Sequence, residues 1–149
     1  MKHDDISVIL ATGGPGLVKA AYSAGKPAYG VGAGNAPVFI ERSANIKKAV
    51  SDIITGKTFD NGVICASENS VLVDEPIREK VEAEFQAQGA YFLSKEEVEK
   101  VSRVVMTPKG GMNSALVGKG PQVIAAKAGI TIPEGTKILI APLDGYGPG

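Results

Sequence analysis

A strand-forming run, a glycine turn and a helix-forming run follow one another at the start of the chain, and that order limits the fold more than any other feature. Residues 6–11 (ISVILA) are a short β-prone apolar run, broken by residues 12–16 (TGGPG), after which residues 17–22 (LVKAAY) have helical spacing and composition. Gly25-Lys26-Pro27 stops that helix, and residues 28–31 (AYGV) read as a second short strand leading into residues 32–35 (GAGN). Strand, helix and strand in this order fit a βαβ crossover in a parallel sheet, so the chain is assigned to the α/β class.

The alternation continues. Residues 38–40 (VFI) are a third strand candidate, and Ser43 is placed to cap a helix whose apolar positions Ile46, Ala49, Val50, Ile53 and Ile54 follow the 3.6-residue period as far as Gly56. Residues 59–68 (FDNGVICASE) carry turn residues without periodicity, and residues 70–73 (SVLV) form the next strand, so Cys65 is expected on a loop between a helix and a strand. Pro76 suits the first turn of a helix with Ile77, Val81 and Phe85 on one stripe and Gln88-Gly89 as its stop. Ser94-Lys95-Glu96-Glu97 has the form of a capping box ahead of Val98, Val101, Val104 and Val105. Residues 107–120 are glycine-rich and read as a surface loop, followed by a helix over 122–127 and a strand over 137–140.

Charge and cysteine content remove several functions. Sixteen basic and sixteen acidic side chains cancel and are mixed along the chain, which leaves no electrostatic footprint for nucleic acid or an anionic membrane. With one cysteine there is no internal disulfide, and no apolar run approaches the roughly 18 residues needed to span a bilayer, so the cytoplasm is the expected compartment. His3 is the sole histidine, and no Cys/His cluster exists to hold a zinc ion.

Taken singly, the motifs stay ambiguous. The turn at Thr12, Gly13 and Gly14 presents backbone N–H groups at a helix start, where a phosphate or a cofactor ring can approach, but strand-to-helix turns also use glycine for conformational reasons alone. Neither glycine cluster contains the dinucleotide fingerprint Gly-x-Gly-x-x-Gly. Gly56-Lys57-Thr58 is like the tail of a phosphate-binding loop, yet that motif requires glycine at position 51, where Ser51 stands within a helical pattern. Cys65 fits either a small buried hydrophobe or a nucleophile served by donors from Asn61, Ser67 and the backbone; with no histidine beside it, activation would rest on donors and dipoles.

In combination, residues 11–16 (ATGGPG), residues 30–37 (GVGAGNAP) and residues 59–68 resemble the aldehyde dehydrogenase superfamily, specifically its CoA-acylating branch, which includes the aldehyde dehydrogenase half of bifunctional aldehyde-alcohol dehydrogenases. The resemblance extends to about Ile140. It implies an aldehyde dehydrogenase-like α/β fold, with residues 1–36 as the end of a Rossmann-type cofactor domain and residues 37–149 as a truncated catalytic domain. It also implies NAD or NADP as cofactor, coenzyme A as cosubstrate, a short-chain aldehyde such as acetaldehyde as substrate, and a homo-oligomeric full-length enzyme. Cys65 would be the acyl-carrying nucleophile with its own N–H helping to hold the oxyanion, Thr12, Gly13 and Gly14 would lie against the cofactor, and Val31, Gly32 and Ala33 would border the nicotinamide.

Val31 is the informative departure. Hydrolytic members of the superfamily carry a glutamate at the matching place to activate water, and valine is no base, so a thiol acceptor is favoured over water. The resemblance places the family's first nucleotide-binding units and an oxyanion-hole asparagine before Met1, and a ribose-contacting glutamate after Gly149. The expectation is an internal piece that binds dinucleotide poorly and turns over little by itself. Two competing expectations are a hydrolytic aldehyde or semialdehyde dehydrogenase, and a non-catalytic domain that acts only by association.

Overall fold

The computed structural model describes residues 1–32, 34–108, 110–143 and 145. The chain divides into two compact units, Met1–Asn35 and Ala36–Gly149, and each is taken by itself.

In the first unit, strand β1 (Ile9–Thr12) and strand β2 (Ala28–Val31) pair in parallel, with Ile9 opposite Ala28 and Thr12 opposite Val31. Helix α1 (Pro15–Tyr22) makes the crossover; Gly14 is its N-cap and Pro15 fills the first helical position, where a missing N–H costs nothing. The strand and the helix therefore start later and earlier, respectively, than the apolar runs alone imply, because Ile9–Thr12, the last three residues of the run and the first of the turn, carry the ladder and the proline belongs to the helix. Period-two alternation sends Ile9 and Ala11 inward, where they pack with the fully buried Ala21. Gly30 lies under α1: a Cβ there would sit 2.6 Å from Val18 Cγ1, so only glycine lets the strand approach.

The second unit contains two further parallel pairs, strand β3 (Pro37–Ile40) with strand β4 (Ser70–Val73), and strand β5 (Ala90–Phe92) with strand β6 (Ile138–Ile140). Helix α2 (Ile46–Thr58) connects the first pair, helix α3 (Arg78–Ala87) leads into β5, and helices α4 (Lys95–Val105) and α5 (Pro121–Ala128) lie between β5 and β6. The core is the stripe predicted for α2 and α3, namely Val50, Ile53, Ile54, Ile77, Val81 and Phe85, closed by Ile40 and Ala90. Phe85 meets Phe92 edge to face at 6.5 Å between centroids, which ties β5 to that core.

Several boundaries differ from the sequence reading, each for a local reason. Asn45, not Ser43, caps α2, accepting from the Lys48 N–H at 3.1 Å, because the Glu41 carboxylate already takes both the N–H and the hydroxyl of Ser43. Helix α2 continues past Gly56 to Thr58. Strand β5 is too short to be read from pattern, having three residues directly after the Gly89 stop. Within 107–120 the loop is partly ordered by an isolated bridge between Met106 and Met112 and by a 3-10 turn at Ser114–Leu116. The capping box at Ser94 is present as expected, with Ser94 Oγ accepting from Glu97 N–H and Glu97 Oε2 accepting from Ser94 N–H at 2.8 Å.

Candidate active site

The carboxyl ends of β1 and β2 bring together, in the first unit, the residues that the sequence resemblance implies for a cofactor. Thr12 pairs with Val31, and the Gly13 N–H donates to the Val31 carbonyl at 3.0 Å, so the ladder runs one step past the strands before the chain turns into α1. Gly14 and Gly32 follow directly, and a Cβ on either would meet nothing within 4 Å among the described residues, at the end of the parallel pair where ligands of α/β proteins bind. Val31 presents its side chain to the outside, 59% exposed. Ala33 lies outside the described residues.

Cys65 occupies the loop between α2 and β4 and is exposed. The loop begins with an unusual backbone: inside the 3-10 turn Phe59–Gly62, Asp60 (φ 49°) and Asn61 (φ 50°) are left-handed, and Gly62 follows at φ 73°. Asp and Asn tolerate this region better than other L residues, and glycine adopts it freely, so the run Asp-Asn-Gly is the local composition that makes such a turn affordable. Backbone held in a sparsely populated region tends to mark functional segments.

The side chains flanking Cys65 are committed elsewhere. Asn61 Nδ2 donates to the Gly118 carbonyl at 3.1 Å, and the buried Ser67 donates its hydroxyl to the Ile64 carbonyl at 2.8 Å. Both bonds brace the loop. Among the described residues, the N–H of Cys65 has no carbonyl partner, which makes it the donor nearest in the chain to an anion formed at the sulfur.

Below the loop lie residues that pattern reading passed over. Lys57, in the last turn of α2, donates to Asn69 Oδ1 at 2.7 Å, and Glu68 packs its carboxylate against Gly56, whose absent Cβ would lie 2.8 Å from Glu68 Oε2. That space explains why α2 accommodates a glycine. Burial lowers the Lys57 ammonium pKa below its ordinary value, and the Glu68 charge opposes that shift.

The aldehyde dehydrogenase family model matches residues 1–108, which contain both the β1–β2 edge and the Cys65 loop. The chain belongs to the aldehyde dehydrogenase family. It is 54% identical over 140 residues to the bifunctional aldehyde-alcohol dehydrogenase AdhE of Escherichia coli K12, an alignment covering 94% of this chain and 16% of that protein. Its fold matches an acetylating aldehyde dehydrogenase from Geobacillus thermoglucosidasius with TM-score 0.92 at 62% identity, covering 98% of this chain and 32% of that one. A propionaldehyde dehydrogenase from Rhodopseudomonas palustris, solved with bound CoA and an acylated cysteine, matches with TM-score 0.85 at 35% identity over 94% of this chain and 32% of that one.

These relatives bear out the α/β aldehyde dehydrogenase-like fold and the resemblance to the acylating branch. The chain spans between about a sixth and a third of the length of these family members. Among the described residues no helix is long and apolar enough to cross a membrane.

Proposed function

We propose that this chain carries the nucleophile of an NAD(P)-dependent, CoA-acylating aldehyde dehydrogenase, with Cys65 as that nucleophile. The observation that supports it most is an exposed thiol on a left-handed Asp-Asn-Gly loop, in a chain 62% identical to an acetylating aldehyde dehydrogenase. Residues 1–36 are the end of the cofactor domain and residues 37–149 part of the catalytic domain. The full-length enzyme is a cytoplasmic homo-oligomer that takes a short aldehyde, acetaldehyde first among them.

In this reading the Cys65 thiolate attacks the aldehyde carbon, forming a carbon–sulfur bond while the carbonyl oxygen takes up negative charge next to the Cys65 N–H. The cofactor, when bound, accepts the hydride that leaves this carbon. Collapse of the oxyanion leaves an acyl thioester on Cys65. Coenzyme A thiolate then attacks the acyl carbon, and the Cys65 sulfur departs as the leaving thiolate. The open edge formed by Thr12, Gly13, Gly14, Val31 and Gly32 fits a flat cofactor ring, since no Cβ blocks close approach at Gly14 or Gly32.

Val31 makes coenzyme A the acceptor. An apolar side chain at the place of a general base removes the group that would draw a proton from water, whereas a thiol supplies a good nucleophile without that help.

Steady-state kinetics of the full-length enzyme test the proposal. NADH formation from acetaldehyde is expected to require coenzyme A and to be lost in Cys65→Ser. NADH formation that ignores coenzyme A would instead establish a hydrolytic dehydrogenase.

A further inference from the structure

One side chain runs beside the start of the loop carrying Cys65 and is bonded to its end. Lys57 leaves the end of α2 and reaches Asn69 Oδ1 at 2.7 Å, just where β4 begins. On the way its Cε and Nζ pass 3.2 Å and 3.3 Å from the position a Cβ would take on Gly62, the last left-handed residue at the start of the loop. Lys57 therefore lies beside the beginning of the segment that displays the thiol and is bonded to its end.

A lysine in the last turn of a helix has an ordinary explanation, namely attraction to the negative end of the helix dipole. That role leaves the ammonium in solvent. Lys57 is instead half-buried, and the neighbouring Glu68 has one carboxylate oxygen, Oε2, shut off from solvent with no hydrogen-bond partner among the described residues. A buried carboxylate oxygen without a donor is costly unless a positive charge lies close by, and Lys57 supplies that charge. The backbone N–H of Asn69 donates to the Ala36 carbonyl at 3.0 Å, so the far anchor is itself tied to the chain just before β3.

We propose that Lys57 is a positioning residue, packed beside Gly62 and bonded to Asn69 with Glu68 close by, so that the loop presents Cys65 in its reactive geometry. The inference rests on the reading of Cys65 as the nucleophile and adds a residue that acts through the loop. Lys57 acts on reactivity and not merely on folding, because loosening the Asn69 anchor frees the backbone that carries the unpartnered Cys65 N–H.

The test is the rate at which iodoacetamide alkylates Cys65 across pH in the full-length enzyme, with thermal melting as the control for folding. Glu68 is the charged group that faces Lys57 and is unchanged in these variants. Lys57→Met is expected to slow alkylation about tenfold and to displace its pH midpoint, the size that loss of one charge-assisted hydrogen bond implies. Asn69→Ala is expected to slow it about threefold or more, while Asn69→Asp, which keeps an acceptor oxygen for Lys57, returns it to within about twofold of the parent. Asn69 is exposed, so that pair decides the matter even if Lys57→Met fails to fold. Variants that melt lower but alkylate at the parent rate, with the parent pH midpoint, overturn the positioning role of Lys57. Retention of acyl transfer in Cys65→Ser would overturn the nucleophile assignment separately, whatever the alkylation rates.

Discussion

Replacing Gly62 by alanine separates the conformational demand of the Cys65 loop from its contacts. At φ 73° an L side chain is disfavoured, and a left-handed alanine costs about 1–2 kcal/mol. Alanine also narrows the unfolded ensemble, which offsets ~0.4–1 kcal/mol, so the conformational remainder is near ~1 kcal/mol. The contacts add to this. The new Cβ would lie 3.2 Å from Lys57 Cε and 3.3 Å from the Lys57 carbonyl oxygen. The side chain can swing away only by releasing Asn69, and the carbonyl is held in the last turn of α2. Losing that hydrogen bond contributes roughly another 1 kcal/mol, for a total of about 2 kcal/mol. Gly135→Ala is the matched control, since Gly135 has φ 81° and nothing within 4 Å of its Cβ position, so it carries the conformational part alone. Thermal melting of both variants in the full-length enzyme is expected to place Gly62→Ala below Gly135→Ala, by on the order of 1 °C, the shift that a ~1 kcal/mol difference makes in a chain about three times as long as this one. Alkylation of Cys65 should slow in Gly62→Ala only. Equal melting points and equal alkylation rates for the two variants would refute the contact with Lys57 as the source of the difference.

Three other outcomes are expected. Ser94→Ala removes the hydroxyl half of the capping box and should destabilise α4 by about 1 kcal/mol, seen as faster amide exchange at the first turn of that helix, the Glu97 N–H above all. Arg42 grips Asp74 through Nε at 2.6 Å and Nη2 at 3.1 Å, and this hydrogen bonding holds the Asp74 carboxyl below its ordinary 3.8; the stabilisation is complete above that value and disappears as pH falls through the lowered one, so acid titration of parent and Asp74→Asn should converge at low pH. Val31→Glu should raise CoA-independent NADH formation in the full-length enzyme by about tenfold, below the ~10²–10⁴ of a fully positioned base because the new carboxylate has no partner to orient it, and no rise at all would count against Val31 as the reason water is refused.

What could be read from the residues and what could not divide along sequence distance. The α2 and α3 stripes, the capping box at Ser94 and the β1–α1–β2 order are local patterns, and the structure contains them because period and caps act within a few residues. Asn45 was hidden behind Ser43, since choosing between two cap residues depends on Glu41 capturing the serine hydroxyl. The bracing of the Cys65 loop was hidden for a stronger reason. Asn61 reaches Gly118 and Lys57 reaches Asn69, contacts 57 and 12 residues apart that no periodicity announces. Asn61 and Ser67 were legible as polar neighbours of the cysteine, but their donors turn to carbonyls, whereas the Cys65 N–H has no carbonyl partner among the described residues. The one available signal was the run Asp-Asn-Gly itself, the residues best suited to consecutive left-handed backbone.

In the proposed reaction, exposure of Cys65 and the identity of Val31 bear on the fate of the same acyl thioester. An acceptor as large as coenzyme A reaches an acyl thioester only if the sulfur is accessible, and an accessible thioester survives in water only if nothing nearby activates water. A chain with an exposed nucleophile and a glutamate at position 31 would lose its acyl group to hydrolysis before the thiol arrived; one with valine and a closed cysteine would hold it without an outlet. On the proposed mechanism Lys57 and Val31 act on different steps, the first on formation of the carbon–sulfur bond and the second on its fate. Residues 31 and 69 lie in different compact units and share no partner among the described residues, so their effects should be independent. In the double variant Val31→Glu with Asn69→Ala, alkylation should fall as in Asn69→Ala alone, while the ratio of CoA-independent to CoA-dependent turnover rises as in Val31→Glu alone. A ratio that moved with Asn69→Ala would mean the loop also governs the acceptor, and the division of labour between the two units would have to be redrawn.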